Sequence, residues 1–350
     1  MKQKLGNGTL YTGDCLEVMK TLESESVNCV VTSPPYWALR DYGMKEQLGL
    51  EPTFKEYIDK LCNIFDEVKR VLRKDGTCWV VIGDTYGGSG NASGHKEETK
   101  NLGYKTSKMG ATKGITQKLL PKCLLGIPFR FSLEMMNRGW ILRNTLIWHK
   151  PNCMPCSVKD RFTVDFEYVF FFVKNKKYWF ETQYEPHKSF DDYKRRKIKE
   201  KKGNTEHPRS DLHCDNEGNF RDRKDYYGEQ GRNKRCIWKI TTKPFKDSHF
   251  AVFPEELIET PIKAGCPESG VVLDPFIGSG TTALVSEKLN RRWIGIELNP
   301  EYVEIAKKRI SPYVGQERLK LGDEKCIRKG ISSCKSMTAV GEPEYGMRNP

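Results

Sequence analysis

Apolar and polar positions alternate in short blocks over most of the chain. Leu10-Tyr11 ahead of "TGDCLEVMKTL" predicts a short strand, a turn and a helix, and the apolar run Val27 to Val31 predicts a buried strand. In "FKEYIDKLCNIFDEVKRVLRKDG", Ile58, Leu61, Ile64, Phe65, Val68, Val71 and Leu72 recur at helical spacing. Basic residues fill the last turn of that segment, and Gly76 is expected to stop the helix. "TCWVVIGD" then reads as a second buried strand, and the strand–helix–strand alternation predicts a parallel sheet with helices on its faces. Further on, "GIPFRFSLEMMNRGW" predicts a helix ending at Gly139, and "ILRNTLIWHKPN" and "FEYVFFFVKNKKYWFE" predict strands. The segment "SGVVLDPFIGSGTTALVSEKLNRRWIGIELNPEYVEIAKKRI" predicts a strand, glycine turn, helix, strand and helix.

Two stretches break this pattern. Residues 84–118 are rich in Gly, Ser and Lys and read as a flexible loop: either a solvated linker or, since a long loop inside a compact domain is usually functional, a segment that orders on substrate. Residues 186–248 turn polar, with basic side chains alternating with Tyr, Phe and Trp. After Ile310 the apolar pattern fades, and 311–350 is expected to be a flexible tail. Residues 1–83, 119–185 and 249–310 would then be parts of one α/β domain.

At 350 residues the chain can bury a large core, as one domain with insertions or as two. Its mean hydropathy of −0.65 reflects 30% charged residues rather than general disorder. Lys+Arg exceed Asp+Glu by 59 to 46, a formal charge of +13, which favours a polyanionic partner, nucleic acid before acidic membrane. The N-terminus has no apolar stretch of signal-peptide length and no run of 18 apolar residues occurs, so a soluble, unsecreted protein is expected, with its 12 cysteines reduced.

Chemistry concentrates near both ends. "VVLDPFIGSGTT" is a strand ending in Asp274, a turn with Gly278 and Gly280, and Thr281-Thr282 opening a helix. Those glycines permit a tight turn and close approach of a ligand to the backbone. About twenty residues on, the next strand ends in Glu297, where an acid can accept from both hydroxyls of a ribose. A third glycine for a pyrophosphate is missing, so the turn suits a smaller adenosine-bearing cofactor such as S-adenosylmethionine.

"TSPPYW" near the N-terminus, together with "DPFIGSGTT" and "GIELNPEY" near the C-terminus, resembles the amino-methylating DNA methyltransferases. The order, catalytic motif first and cofactor loop last, is that of their circularly permuted β group. The resemblance implies an α/β, Rossmann-like methyltransferase fold that uses S-adenosylmethionine to methylate an exocyclic base amine. It makes 1–83 the catalytic half, 249–310 the cofactor-binding half and 186–248 the target-recognition region. Carried over, Asp14 lies near the adenine, Gly278 and Gly280 wrap the amino-acid end and Glu297 holds the ribose. Thr32, Phe253, Asp274, Phe276, Ser279, Thr281, Thr282 and Asn299 complete the implied cofactor set.

In such a family the catalytic segment is Ser33-Pro34-Pro35-Tyr36. The nitrogen's lone pair is delocalised into the base, so its hydrogens must be drawn toward acceptors. The Ser33 hydroxyl and Pro34 carbonyl can be those acceptors, two prolines fix the backbone, and Tyr36 offers a face for a flipped base. Ser rather than Asp at the first position favours N4 of cytosine, with N6 of adenine as the alternative. No metal is implied, since the sulfonium is already an activated methyl donor. The implied partner is double-stranded DNA, with a cognate restriction endonuclease as a separate chain and no membrane. Monomer and homodimer both remain open. The implied setting is the cytoplasm of a bacterium, with the chain encoded by host or phage.

Rival readings are weaker. Pro155-Cys156 resembles the nucleophile of C5-cytosine methyltransferases but precedes the glycine loop instead of following it. His149, Cys153 and Cys156, with Cys214 or Cys236, lack the usual paired zinc spacing. Glutamine methyltransferases carry a related "NPPY" downstream of their glycine loop, the reverse order. A nucleic-acid-binding protein without catalysis would not need the full motif set.

Overall fold

The computed structural model describes residues 1–87, 120–186, 232–243 and 252–314, and the backbone of two strands at Leu212–Cys214 and Phe220–Asp222. In chain order the strands are β1 Lys2–Leu5, β2 Gly8–Thr12, β3 Val27–Thr32, β4 Leu72–Ile82, β5 Ile141–His149, β6 Phe166–Val173, β7 Tyr184–Glu185, β8 Leu212–Cys214, β9 Phe220–Asp222, β10 Arg232–Asn233, β11 Ile237–Lys239, β12 Val271–Asp274 and β13 Arg292–Glu297. The helices are α1 Cys15–Lys20, α2 Phe54–Val71, α3 Ile127–Asn137, α4 Glu255–Gly265, α5 Thr281–Lys288 and α6 Pro300–Ile310.

Nine strands form one sheet in the order β1-β2-β13-β12-β3-β4-β6-β5-β11. Its centre is parallel, as the alternation predicts, while β6 runs antiparallel to both β4 and β5. Both faces are covered, so the strands read as apolar on both sides. Cys78, Val80 and Ile82 of β4 and Phe170 and Phe172 of β6 pack with α2 and α3 on one face. Trp79, Val81, Val169, Phe171 and Val173 pack with α4 on the other, and Trp79 stacks on Phe171 at 3.9 Å. The period of two along each strand produces this division.

Helix α2 begins with a capping box, in which the Thr53 hydroxyl accepts from the Glu56 amide at 3.1 Å. It ends at Val71, and Leu72 already opens β4. Gly76 is therefore a strand residue, not the helix stop expected from its position. A Cβ there would come within 2.6 Å of Leu72 Cδ1 and 2.9 Å of the Asn28 carbonyl, so the close strand packing, not a helix terminus, requires glycine.

Strands β12 and β3 lie side by side, yet β12 connects outward to β13 and β3 connects the other way to β4. Their ends diverge at this switch point and leave a crevice. The loop expected at 84–118 lies outside the described residues beyond Gly87, as do most of 186–248 and all of 315–350. Ser311–Tyr313 adds a short turn of 3-10 helix after α6. Among the described residues no helix is long and apolar enough to cross a membrane.

Candidate active site

One cavity of about 690 Å³ opens at the crevice, and the two distant sequence motifs both line it. From the end of β3 come Ser33, Pro34, Pro35 and Tyr36; from the β12–α5 turn come Phe276, Gly278, Ser279 and Thr281; from the end of β13 come Glu297 and Asn299. Asp14 and Phe253 also line it. Thr32, Asp274, Gly280 and Thr282 do not: they stand behind its wall.

Asp274 shows why. Its carboxylate is buried, accepting from Thr32 Oγ1 at 2.5 Å, Thr282 Oγ1 at 2.6 Å and the Phe276 amide at 3.0 Å. Burial pushes its carboxyl up to about 6 despite those donors. The group joins β3, β12 and α5, and so sets one motif against the other. Gly280 has a different constraint from Gly278. A Cβ on Gly280, whose φ is +85°, would lie 3.0 Å from Ala306 Cβ on α6, whereas a Cβ on Gly278 would meet only the Phe276 carbonyl at 4.0 Å. Gly280 thus permits helix packing, and Gly278 keeps open space beside the cavity.

Glu297 grips the turn. Its Oε2 accepts from the Gly278 amide at 2.9 Å and its Oε1 from the Asn299 amide at 2.8 Å. Burial raises its carboxyl to about 7. Arg309 of α6 donates to Ser279 Oγ at 3.2 Å and Thr281 Oγ1 at 2.7 Å, fixing the other side of the turn. Asp14 caps α1 by accepting from the Glu17 amide at 3.0 Å, and the neighbouring Gly13 amide donates to the Glu297 carbonyl at 2.9 Å. A cavity that brings the Glu297 carboxylate, the Gly278 turn and Asp14 together therefore fits the adenosine-bearing cofactor expected from the motifs.

At the other end the two aromatics of "PPYW" part company. Trp37 is buried, donates to the Glu51 carbonyl at 3.0 Å and meets Phe54 edge-on at 6.0 Å. Tyr36 faces the cavity. Tyr57 donates its hydroxyl to the Pro35 carbonyl at 2.9 Å, bracing the proline segment. Gly83 follows β4, and a Cβ there would strike the Tyr36 ring at 2.7 Å, so the glycine makes room for that ring.

Sequence reasoning missed several lining residues. Glu167 and Lys150 belong to β6 and the end of β5, and their only signal is a charge set in an apolar strand. Arg40, Tyr42 and Met44 reach the cavity from a loop tied by Gln47, whose side chain accepts from the Tyr42 amide at 2.7 Å and donates to the Arg40 carbonyl at 3.1 Å. Tyr42 meets Tyr302 edge-on at 6.2 Å. Cys156 does not line the cavity, and among the described residues no three His, Cys, Asp or Glu side chains converge as metal ligands.

A family model described as DNA methylase, of the N6/N4 type, matches residues 27–308. The type II methyltransferase M.Cfr9I of Citrobacter freundii is 41% identical over 307 residues, covering 88% of this chain and 89% of that one. M.SmaI of Serratia marcescens, also a type II methyltransferase, is 40% identical over 310 residues, covering 89% and 93%. Among solved structures, the cytosine-N4-specific PvuII DNA methyltransferase aligns with a TM-score of 0.56 at 20% identity, covering 90% and 95% of the two chains. A DNA modification methylase from Thermus thermophilus, complexed with S-adenosyl-L-methionine, aligns with a TM-score of 0.52 at 24% identity, covering 88% and 94%. At these identities the structural likeness speaks to the fold.

Proposed function

The chain belongs to the N6/N4 DNA methylase family, and from that premise we propose that it transfers a methyl group from S-adenosylmethionine to N4 of cytosine in double-stranded DNA. The observation that carries this reading is one cavity lined by Ser33 as well as by the Gly278 turn and Glu297. The cofactor supplies an electrophilic methyl on a sulfonium. Glu297 accepts from its ribose hydroxyls, while Gly278 and Ser279 admit its amino-acid end against the backbone.

Ser33 Oγ and the Pro34 carbonyl accept the two hydrogens of the target amine. That draws its lone pair out of conjugation and toward the donor, with no covalent link to the protein. The N–C bond forms as the S–C bond breaks to leave a neutral thioether, and the surplus proton of the amine passes to solvent. Tyr36 carries the extruded base on its ring face. The polar region 186–248 supplies target recognition, and the natural setting is a restriction–modification system or phage self-protection.

Ser33 in place of an acid favours cytosine; adenine N6 is the second reading, because the same acceptors serve either amine. Mass spectrometry of nucleosides from DNA of cells expressing the protein tests both. N4-methylcytosine is expected. N6-methyladenine would replace the base assignment, and a rise in neither would overturn the activity.

A further inference from the structure

A line of polar side chains runs outward from the catalytic segment. Ser33 Oγ donates to Tyr36 Oη at 3.5 Å, Tyr36 Oη donates to Glu167 Oε2 at 2.7 Å, and Lys150 Nζ donates to Glu167 Oε1. The first distance is at the long end of the hydrogen-bond range. Glu167 sits opposite Trp148 in the β5–β6 register, and Lys150 follows β5 with its ammonium 4.4 Å from the Trp148 ring centre. The side chains of Lys150 and Glu167 are each only 19% exposed.

The direction of these bonds follows from counting protons. A carboxylate has lone pairs only, so the proton shared by Tyr36 and Glu167 comes from the phenol. Burial first, and the charge of Glu167 next, raise the Tyr36 phenol well above its ordinary value, so it keeps that proton. A phenol has one proton to give. With it committed to Glu167, the Tyr36 oxygen can only accept from Ser33. The Ser33 proton is then held away from the substrate, and its lone pairs are left for an incoming donor.

We infer that Glu167, held by Lys150, is a positioning residue that sets the polarity of this chain, so that Ser33 meets the substrate as an acceptor. A site polarised in this sense selects an exocyclic amino group, which offers N–H, over a carbonyl oxygen or a bare ring nitrogen, which offers only lone pairs. Glu167 never touches the base; it acts through Tyr36. The inference rests on the amino-methylation reading above.

A double-mutant cycle on the full-length enzyme tests it. Glu167→Gln is expected to lower kcat about 10- to 100-fold, because an amide can turn its NH2 toward Tyr36 and reverse the chain. Tyr36→Phe keeps the ring and loses the relay, and should cost a similar factor. The double variant should be no slower than Tyr36→Phe alone. Cofactor Kd by calorimetry should stay within about twofold in all three, since neither Tyr36 nor Glu167 bonds to Glu297 or to the Gly278 turn. Lys150→Gln repeats the cycle if Glu167→Gln melts early: it should slow the wild-type background and leave Tyr36→Phe unchanged. Multiplying losses in the double variants, or an unaltered kcat in Glu167→Gln, would overturn the inference. A wild-type enzyme that binds S-adenosylmethionine but methylates no amino group in DNA would overturn the reading beneath it, and the inference with it.

Discussion

Neighbouring residues in this chain do different work, and burial decides which. Trp37 and Tyr36 are adjacent, yet one is core and the other faces the cavity. Trp37→Ala should cost about 3–5 kcal/mol of unfolding free energy, read from chemical denaturation, because it empties a closed site and orphans the Glu51 carbonyl. Glu297 carries a second prediction. Its carboxyl titrates near 7, raised by burial from an ordinary 4.5, and only the ionised form can accept from both ribose hydroxyls. Cofactor Kd should therefore rise about tenfold for each pH unit below that value, and Glu297→Gln should bind weakly at every pH. Calorimetry between about pH 5.5 and 8 checks this, and a flat wild-type profile would exclude the carboxylate as the partner. The sign for stability is opposite. A carboxyl raised on folding contributes most below its unfolded value, and the empty protein loses that contribution as pH rises from about 4.5 through 7.

Elements are joined here through glycines whose missing side chains serve different neighbours. Gly280→Ala forces a Cβ against α6 at a φ of +85° and should destabilise the fold by about 1–3 kcal/mol, seen as a lower Tm. Gly83→Ala instead aims a Cβ at the Tyr36 ring, and should lower kcat by more than about tenfold while leaving cofactor Kd unchanged. The sequence placed Gly280 in the cofactor turn, where the structure gives it a packing role, and read Gly76 as a helix stop, though it lies inside β4. Amphipathic spacing located α2 well but not its end, because the apolar Leu72 fits a helix face and the first position of a buried strand equally.

For the whole molecule, a formal charge of +13 is complementary to the DNA on which a methyltransferase of this family acts. Binding to duplex DNA should weaken with salt. Replacing Arg195 and Arg196 by Ala should make the slope of log K against log salt shallower by about 2, if each meets one phosphate. Fluorescence anisotropy at several salt concentrations gives that slope directly, and an unchanged slope would remove this pair from the DNA contact.

The sequence alone determined the strand–helix alternation, the two contiguous motifs and the sign of the partner's charge, because periodicity, glycine turns and composition are local properties of the chain. It also implied an adenosine-bearing cofactor, since Glu297 follows the glycine turn by one helix and one strand. Only the tertiary structure decided which motif residues face the cavity and which brace it from behind. Asp274 and Thr32 are separated by 242 positions and share one hydrogen bond, because parallel strands bring remote ends together. Glu167 and Lys150 were illegible for the same reason: a charge on β6 meets Tyr36, from the loop after β3, only once the sheet is assembled.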